Sequence, residues 1–360
     1  MMNPSPSEPL AYHRLALVSG RHRWWRPVLG TLFVIVVYVL LVGLLYGLLS
    51  ALGDLRGYPE GPDGWVDFGP LAGTAVDLLL LAAAIPVVLL AVRWIGRRPA
   101  GTVSSVTGAL RWRLLGLCAL AALPVLALTT GVMYLLPVAD GTPQRWAGWE
   151  TFGTALAVLV VLVPFQAAAE EYAFRGWLVQ AVGAFLRSPW WAVVPQALLF
   201  AVSHGWGTLG GFVDLTVFGV VAGWLTVRTG GLEAAVGLHA VNNLIAFGTS
   251  AAVVDGLRGD ETAADMPWQA VVVDLAGIAL YAAAVLWLAR RRPPTRTAPA
   301  PAPLPPPPPF VPPTGHVHAP VPGFPVAYGP GAQGRADVSG LPLGTGTSAF
   351  PSGDPRRTAG

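Results

Sequence analysis

The sequence predicts an all-α protein, a polytopic membrane helix bundle of about eight transmembrane helices that is followed by a disordered, proline-rich C-terminal tail. The 360 residues are 54% hydrophobic and 11% charged, whereas soluble domains carry about 25% charged residues. Eight apolar runs follow one another between residues 28 and 289. Residues 293–360 are instead rich in proline, alanine and glycine, and they contain too few large apolar side chains to offset the entropy cost of folding.

The apolar runs lie at about 28–49, 71–92, 114–136, 153–173, 190–204, 212–227, 232–249 and 269–289. The first four and the last are long enough to cross a bilayer alone, which takes roughly 20 residues, whereas the fifth to seventh need neighbouring helices around them. Arginine-rich segments alternate with the other loops through all eight crossings. The positive-inside rule therefore predicts a multi-pass protein of the cell membrane with both termini in the cytoplasm.

The composition also restricts the partners. The net charge of +3 gives no reason to expect a nucleic-acid partner, and the single cysteine, Cys118, excludes a disulfide within the chain. We expect the protein to meet a lipid bilayer and a membrane-associated peptide or protein. The absence of lysine and the abundance of alanine, glycine, proline and arginine suggest a GC-rich bacterial genome. The oligomeric state is left open.

Three charged residues, Glu170, Glu171 and Arg175, end the otherwise apolar run 152–169. Each charge at the centre of a bilayer costs roughly 2.5–3.5 kcal/mol on insertion scales, so the cluster indicates a function. In a helix, Glu171 and Arg175 are i and i+4 and predict an ion pair. Glu170 is rotated by about 100° from Glu171 and is left free to face a cavity as a general base. The alternative is an interfacial helix end at which all three groups are solvated.

Two later apolar runs carry further polar groups. His204 ends the fifth run, either as a hydrogen-bonded structural residue or as a base. His239 and Asn243 in the seventh are i and i+4 and share a helix face, either as hydrogen-bond donors to one oxygen atom or as polar contacts between helices. Together with Glu170 they supply what proteolysis in a membrane needs, namely groups that activate water and groups that stabilise an oxyanion. The sequence contains neither the His-Glu-x-x-His motif nor a Gly-x-Ser-x-Gly motif.

The polar residues form three motifs on separate runs: Glu170-Glu171-x-x-x-Arg175, Phe200-x-x-x-His204 and His239-x-x-x-Asn243. In this order they resemble the motifs of the CPBP family, the CAAX prenyl endopeptidase/bacteriocin-processing family of intramembrane proteases, which includes the Ras-converting-enzyme type of glutamate protease. The resemblance covers roughly residues 150–250. It implies a peptidase that hydrolyses a peptide bond with water. If the source is bacterial, a prenylated CAAX protein is not expected as the native substrate.

The resemblance also implies roles for single residues. Glu170 and His204 would activate the attacking water, and His239 and Asn243 would form the oxyanion hole. Asn242 is an adjacent candidate that we rank below Asn243.

The same resemblance also implies two supporting residues and the expectation about a cofactor. Glu171 and Arg175 would support the site. We expect no cofactor, because the Ras-converting-enzyme type is a metal-free glutamate protease. Zinc is the alternative, and Glu170, His204 and His239 would then be its ligands.

Charge, hydropathy and composition divide the chain into five parts, of which the resemblance identifies the third. These are a basic cytoplasmic segment (1–27), N-terminal transmembrane spans (28–149), a catalytic core (150–250), an outer loop with the last span (251–292) and the disordered tail (293–360). A non-proteolytic membrane scaffold or a bacteriocin-immunity-type protein that keeps the polar core is the main alternative. A transporter is disfavoured because no pair of broken helices is visible in the sequence.

The depth in the membrane that we expect for His204 conflicts with a site in which His204 meets Glu170. A straight fifth helix that starts at Trp190 would place His204 too deep to meet Glu170, given about 1.5 Å of rise per residue. Either the fourth helix is tilted and continues past Arg175, or the fifth begins outside the bilayer at Ser188 and Pro189.

Other acidic residues in or beside the runs are expected to be structural. They are Asp77, Asp214, Glu233 and Asp274. Glu233 stands in the first turn of the seventh helix, where the helix dipole favours an acid.

Overall fold

The structure, a computed structural model, describes residues 8–61, 64–135, 144–258 and 262–300. Their main elements are eight helical segments. They are α1 (Trp25–Leu55), α2 (Pro70–Ile95), α3 (Trp112–Leu135), α4 (Trp149–Gly183), α5 (Trp190–Ser203), α6 (Leu209–Thr229), α7 (Glu233–Ala251) and α8 (Trp268–Arg291). Two strands, β1 (Leu10–Ala11) and β2 (Thr297–Ala298), and four short 3₁₀ helices (Tyr12–Leu17, Ala100–Val103, Gly256–Arg258 and Ala263–Asp265) complete them.

Each predicted apolar run falls on one of these helices, so the all-α membrane class is confirmed. The predicted count of eight membrane crossings is not confirmed. In the described residues six helices are long and apolar enough to span a membrane, namely α1 to α4, α6 and α8. Helix α5 has 14 residues, which at 1.5 Å each falls short of a hydrocarbon core about 30 Å thick. The apolar run on helix α7 is interrupted by acidic, imidazole and amide side chains, and this helix is not among the six.

Helix α7 carries His239, Asn242 and Asn243 and packs chiefly against α3 and α4. A Cβ atom on its Gly237 would lie 3.0 Å from the backbone nitrogen of Ala119 in α3. The glycine therefore permits a close helix crossing, as small residues do in membrane bundles. The buried carboxylate of Glu233 accepts hydrogen bonds from Arg111 Nε at 2.8 Å and Nη2 at 2.6 Å. This bidentate pair fixes the start of α7, which agrees with the structural role expected for Glu233.

Helix α4 continues ten residues beyond the end of its predicted apolar run at 173, to Gly183. Its middle section, Tyr172–Leu178, is π-helical. A π-helical turn holds one extra residue and occurs often at functional sites. Trp177 in this section is 5% exposed and donates its indole N–H to Thr31 of α1 at 3.0 Å. The fourth helix therefore continues past Arg175, as the first of the two alternatives above requires.

The N-terminal segment is bound to the far end of α4. The backbone carbonyl of Gly183 accepts a hydrogen bond from Arg14 Nη1 at 2.9 Å, and that of Arg187 pairs with His13 Nε2 at 2.8 Å. Strand β1 pairs antiparallel with β2, which lies beyond the predicted start of the tail at residue 293. The predicted disorder of residues 301–360 lies outside the described residues.

Candidate active site

The charged residues of α4 are buried in the bundle. Glu171 and Arg175 are both 0% exposed, and Arg175 Nη1 donates to Glu171 Oε1 at 3.0 Å. This is the ion pair predicted from the i and i+4 spacing. The Arg175 guanidinium also lies 4.0 Å from the ring centroid of Phe200 in α5. Its Nε and Nη2 have no hydrogen-bond partner among the described residues, so the aromatic face offsets part of its desolvation.

His239 of α7 lies between the two glutamates. Its Nδ1 is 2.7 Å from Glu171 Oε1, and its Nε2 is 3.8 Å from Glu170 Oε2. A carboxylate paired with arginine only accepts, so His239 Nδ1 carries the hydrogen and donates it to Glu171. That hydrogen bond orients the ring and leaves Nε2 facing Glu170. Glu171 therefore binds both Arg175 and His239, whereas the sequence predicted only the first contact.

A second chain of hydrogen bonds joins Glu170 to Asn243 through Gln166. Gln166 Nε2 donates to Glu170 Oε1 at 2.5 Å, and Gln166 Oε1 accepts from Asn243 Nδ2 at 3.0 Å. Asn242 Nδ2 donates to Asn243 Oδ1 at 3.4 Å. The sequence analysis missed Gln166. Its signal was an amide side chain, one helical turn before Glu170, in a run that is otherwise almost wholly apolar.

His204 follows the last residue of α5 and is half-buried. Its Nδ1 is 2.8 Å from the carbonyl oxygen of Phe200, which can only accept, so Nδ1 donates and a neutral ring keeps Nε2 as an acceptor. The Phe200 ring separates the two histidines, with centroid distances of 4.6 Å to His204 and 5.9 Å to His239. No hydrogen bond joins His204 to Glu170 in the part of the chain that the structure describes.

A cavity of about 60 Å³ brings the histidines together. His204, His239, Asn242 and Asn243 all line it. A buried water needs roughly 10–15 Å³ of such space and two to four polar partners, so the cavity can hold several. Glu170 does not line it directly and reaches it through its contact with His239. Three of the four predicted catalytic residues thus share one cavity, and the fourth adjoins it.

Two carboxyl groups line the same cavity from the opposite helices, Asp214 from α6 and Asp274 from α8. They are 4% and 8% exposed, and they are close enough to interact electrostatically. Both residues therefore form part of the cavity wall, a position that we ranked below a purely structural one from the sequence. Their structural role stays a prediction.

The alternative zinc ligands were also tested against the geometry. His239 donates from Nδ1 to Glu171 and His204 donates from Nδ1 to a backbone carbonyl, so Nε2 of each ring stays available, as it does in metal-binding histidines. Among the described residues, no group of three or more His, Cys, Asp or Glu side chains lies close enough to hold a metal ion. Glu170, His204 and His239 therefore do not form a ligand set in this arrangement.

Comparison with known proteins places this site in context. Residues 152–245, which carry all three motifs, match the family model described as type II CAAX prenyl endopeptidase Rce1-like. The resemblance to the CPBP family is therefore confirmed for this segment. The chain is 28% identical over 234 residues to the uncharacterized protein YyaK of Bacillus subtilis (strain 168), a match that covers 63% of this chain and 78% of YyaK. No solved structure matches the chain.

Proposed function

We propose that the protein is an intramembrane endopeptidase that hydrolyses a peptide bond of a membrane-associated peptide or protein. The observation that carries this proposal is the position of His239. Its ring lies between Glu170 and Glu171 and borders the cavity that His204 and Asn243 also line. An ionisable acid, two imidazoles and an amide from three helices around a cavity large enough for water suit the addition of water to a carbonyl group.

Glu170 is the general base in this proposal. Its Oε2 is buried and has no hydrogen-bond partner among the residues that the structure describes, whereas Oε1 is held by Gln166. Oε2 is thus the free acceptor for a proton from the attacking water, whose oxygen adds to the peptide carbonyl carbon. His204 contributes the acceptor Nε2 of its neutral ring from the other side of Phe200. The proton taken up by Glu170 then passes to the leaving amine when the C–N bond breaks.

Asn243 and His239 are the proposed donors to the oxyanion. Asn243 gives one Nδ2 hydrogen to Gln166 and keeps the second for the substrate oxygen. His239 already donates from Nδ1, so it donates from Nε2 only as the imidazolium. The carboxylate of Glu171 stabilises that charged ring, which makes Glu171 a positioning residue. Asn242 lines the same cavity and is the alternative amide donor.

The setting of the reaction is also part of the proposal. The site lies among helices that are apolar enough to span a membrane, so we propose a substrate that is itself held in or at the bilayer. We place the protein in the cell membrane with both termini in the cytoplasm. We propose the chemistry without a cofactor.

The experiment is hydrolysis by the purified full-length protein in proteoliposomes, with a library of single-span peptides as substrates. In water enriched in ¹⁸O, we expect mass spectrometry to find one heavy oxygen in the new carboxyl terminus of each product. His204→Ala should lower turnover by about 10²-fold or more, as loss of an acid–base group does. His316→Ala, in the tail, is the matched control and should keep wild-type turnover. Unchanged turnover in His204→Ala contradicts the proposal, and stoichiometric zinc with loss of activity on chelation contradicts its metal-free form.

Gln166→Leu is expected to lower kcat by roughly 10- to 100-fold, because a hydrogen bond to a charged group contributes about 1.5–3 kcal/mol. Gln166 holds Oε1 of Glu170 and the amide of Asn243 at once, so its loss misplaces the base and an oxyanion donor together. KM should change little, since neither role binds the ground state. The control is Phe165→Leu, whose side chain is 56% exposed on the outer face of the same helix. A kcat equal to that of the control would show that the amide bridge does not position the site.

A further inference from the structure

A pocket of about 600 Å³ is lined by residues that take no part in the candidate active site. Its lining residues are Arg21, Arg93, Trp94 and Arg97. They come from two places, the segment before α1 and the end of α2. Helix α2 ends in the π-helical stretch Ala91–Ile95, and the next turn brings Arg97 back toward the N-terminal segment. The backbone of Arg97 has a φ of 53°. This is a left-handed conformation that residues other than glycine rarely adopt and that costs free energy.

The charges in this pocket have no acidic counterpart. Arg21, Arg93 and Arg97 form no ion pair with a carboxylate anywhere in the described ranges. Their charged neighbours are further arginines, since Arg26 lies within electrostatic range of Arg97, Arg23 and Arg21. Like charges gathered in this way repel one another. The cluster is therefore more stable when an anion lies between the guanidinium groups.

The backbone around the pocket is ordered rather than a loose run of basic residues. Arg26 Nη1 donates a hydrogen bond to the backbone carbonyl of Arg21. The Arg26 guanidinium lies 5.4 Å from the ring centroid of Trp25. The lining side chains are exposed, so the pocket opens at the surface of the protein. The hydrogen bond to the Arg21 carbonyl and the left-handed backbone at Arg97 give it a defined backbone frame.

The aromatic residues beside the pocket indicate its depth. Trp24, Trp25 and Trp94 are 62%, 41% and 58% exposed. Tryptophan side chains in such positions lie at the level of the lipid headgroups, because their rings are apolar and their N–H groups are polar. The apolar face of α1 begins immediately after them. The arginine pocket thus opens where the charged headgroups of a bilayer lie.

We propose that this pocket binds a phosphate group, which at this depth an anionic lipid headgroup supplies. Guanidinium groups match phosphate because each donates two parallel N–H bonds. Basic pockets between transmembrane helices are a known mode of headgroup binding. Arg21, Arg93 and Arg97 supply the donors, and Trp94 packs along the glycerol region. The site is separate from the catalytic residues, so it stands or fails independently of the proposed peptidase activity.

The test measures lipid binding by the purified full-length protein. Native mass spectrometry from detergent should show retention of phosphatidylglycerol in preference to phosphatidylcholine, and the preference should decrease as salt is raised. The triple substitution Arg21→Gln/Arg93→Gln/Arg97→Gln should weaken phosphatidylglycerol binding by on the order of tenfold or more. The matched control is Arg290→Gln/Arg291→Gln/Arg292→Gln, which removes the same charge from the end of α8 and should keep the preference. Equal loss in both triples, or no loss in the first, overturns the proposal.

Two further arms complete the test. Glycerol 3-phosphate and inorganic phosphate are added at millimolar concentration as soluble competitors. Displacement of the lipid by either one indicates a site that recognises phosphate from any source, and no displacement indicates a site that needs the lipid. If the triple variant does not fold, Arg97→Gln alone replaces it and should lower lipid retention several-fold. Undiminished retention in a folded Arg97→Gln contradicts the assignment.

Discussion

Glu170→Gln is expected to lower peptide turnover by about 10²–10⁴-fold, the range that a positioned acid–base group contributes. The substitution keeps the size of the side chain and its oxygen for the hydrogen bond from Gln166, which is 2.5 Å in the native protein. It replaces only Oε2, the buried atom that has no hydrogen-bond partner in the described part of the chain, by a group that cannot take a proton from water. The measurement is the rate of product formation in proteoliposomes at saturating substrate.

Glu150→Gln is the matched control for this substitution. Glu150 stands in the first turn of the same helix and is exposed, so its loss should leave the rate unchanged. Product formation by Glu170→Gln at the wild-type rate would mean that another group removes the proton. If a cellular phenotype of the protein survived Glu170→Gln while turnover was lost, the non-proteolytic scaffold hypothesis would explain that phenotype better than proteolysis.

The positions of the helices could be predicted because each apolar run is long and bounded by charged or turn residues. The ends of the helices could not be predicted in this way. Helix α4 continues beyond its apolar run because Arg175 is neutralised by Glu171 and Trp177 is buried against α1. A hydropathy pattern registers the charged residues but not their neutralisation, so it predicts that the span ends at them. The reverse holds for α5 and α7, where apolar runs were predicted to cross but length or polar content falls short of a span.

The candidate site was predictable to the extent that its residues stand i and i+4 within single helices. That spacing predicted the Glu171–Arg175 pair and the common face of His239 and Asn243. Contacts between helices depend on packing, which the sequence pattern does not encode. The hydrogen bond from His239 to Glu171 and the bridge through Gln166 are of that kind. The position of Asp214 and Asp274 in the cavity wall could not be predicted for the same reason, since their helices meet only in the folded bundle.

Glu171 acquires its importance from having two partners. A lone ion pair with Arg175 would neutralise one buried charge with another. The added hydrogen bond to His239 means that the carboxylate also determines which nitrogen of that ring faces Glu170. The stability of the bundle and the orientation of the proposed oxyanion donor therefore depend on the same oxygen atom, Oε1 of Glu171. A change at Arg175 tests this connection without touching the proposed catalytic groups.

Arg175→Leu is expected to lower the free energy of unfolding by about 3–5 kcal/mol, because it leaves the Glu171 carboxylate buried without its cation. The measurement is equilibrium unfolding of the purified protein in mixed micelles. Arg187→Leu is the control, since that side chain is exposed just beyond the end of α4 and its loss should change stability by less than about 0.5 kcal/mol.

The double variant Glu171→Gln/Arg175→Leu decides whether the loss comes from the unpaired charge or from lost packing on Phe200. Glutamine keeps an oxygen that can accept from His239 Nδ1, but it carries no charge to be compensated. If the unpaired charge dominates, the double variant is more stable than Arg175→Leu alone, and the two substitutions are strongly non-additive. If the two losses add, the ion pair contributes little, and the contact of 4.0 Å between the guanidinium and the Phe200 ring is what holds α4 against α5.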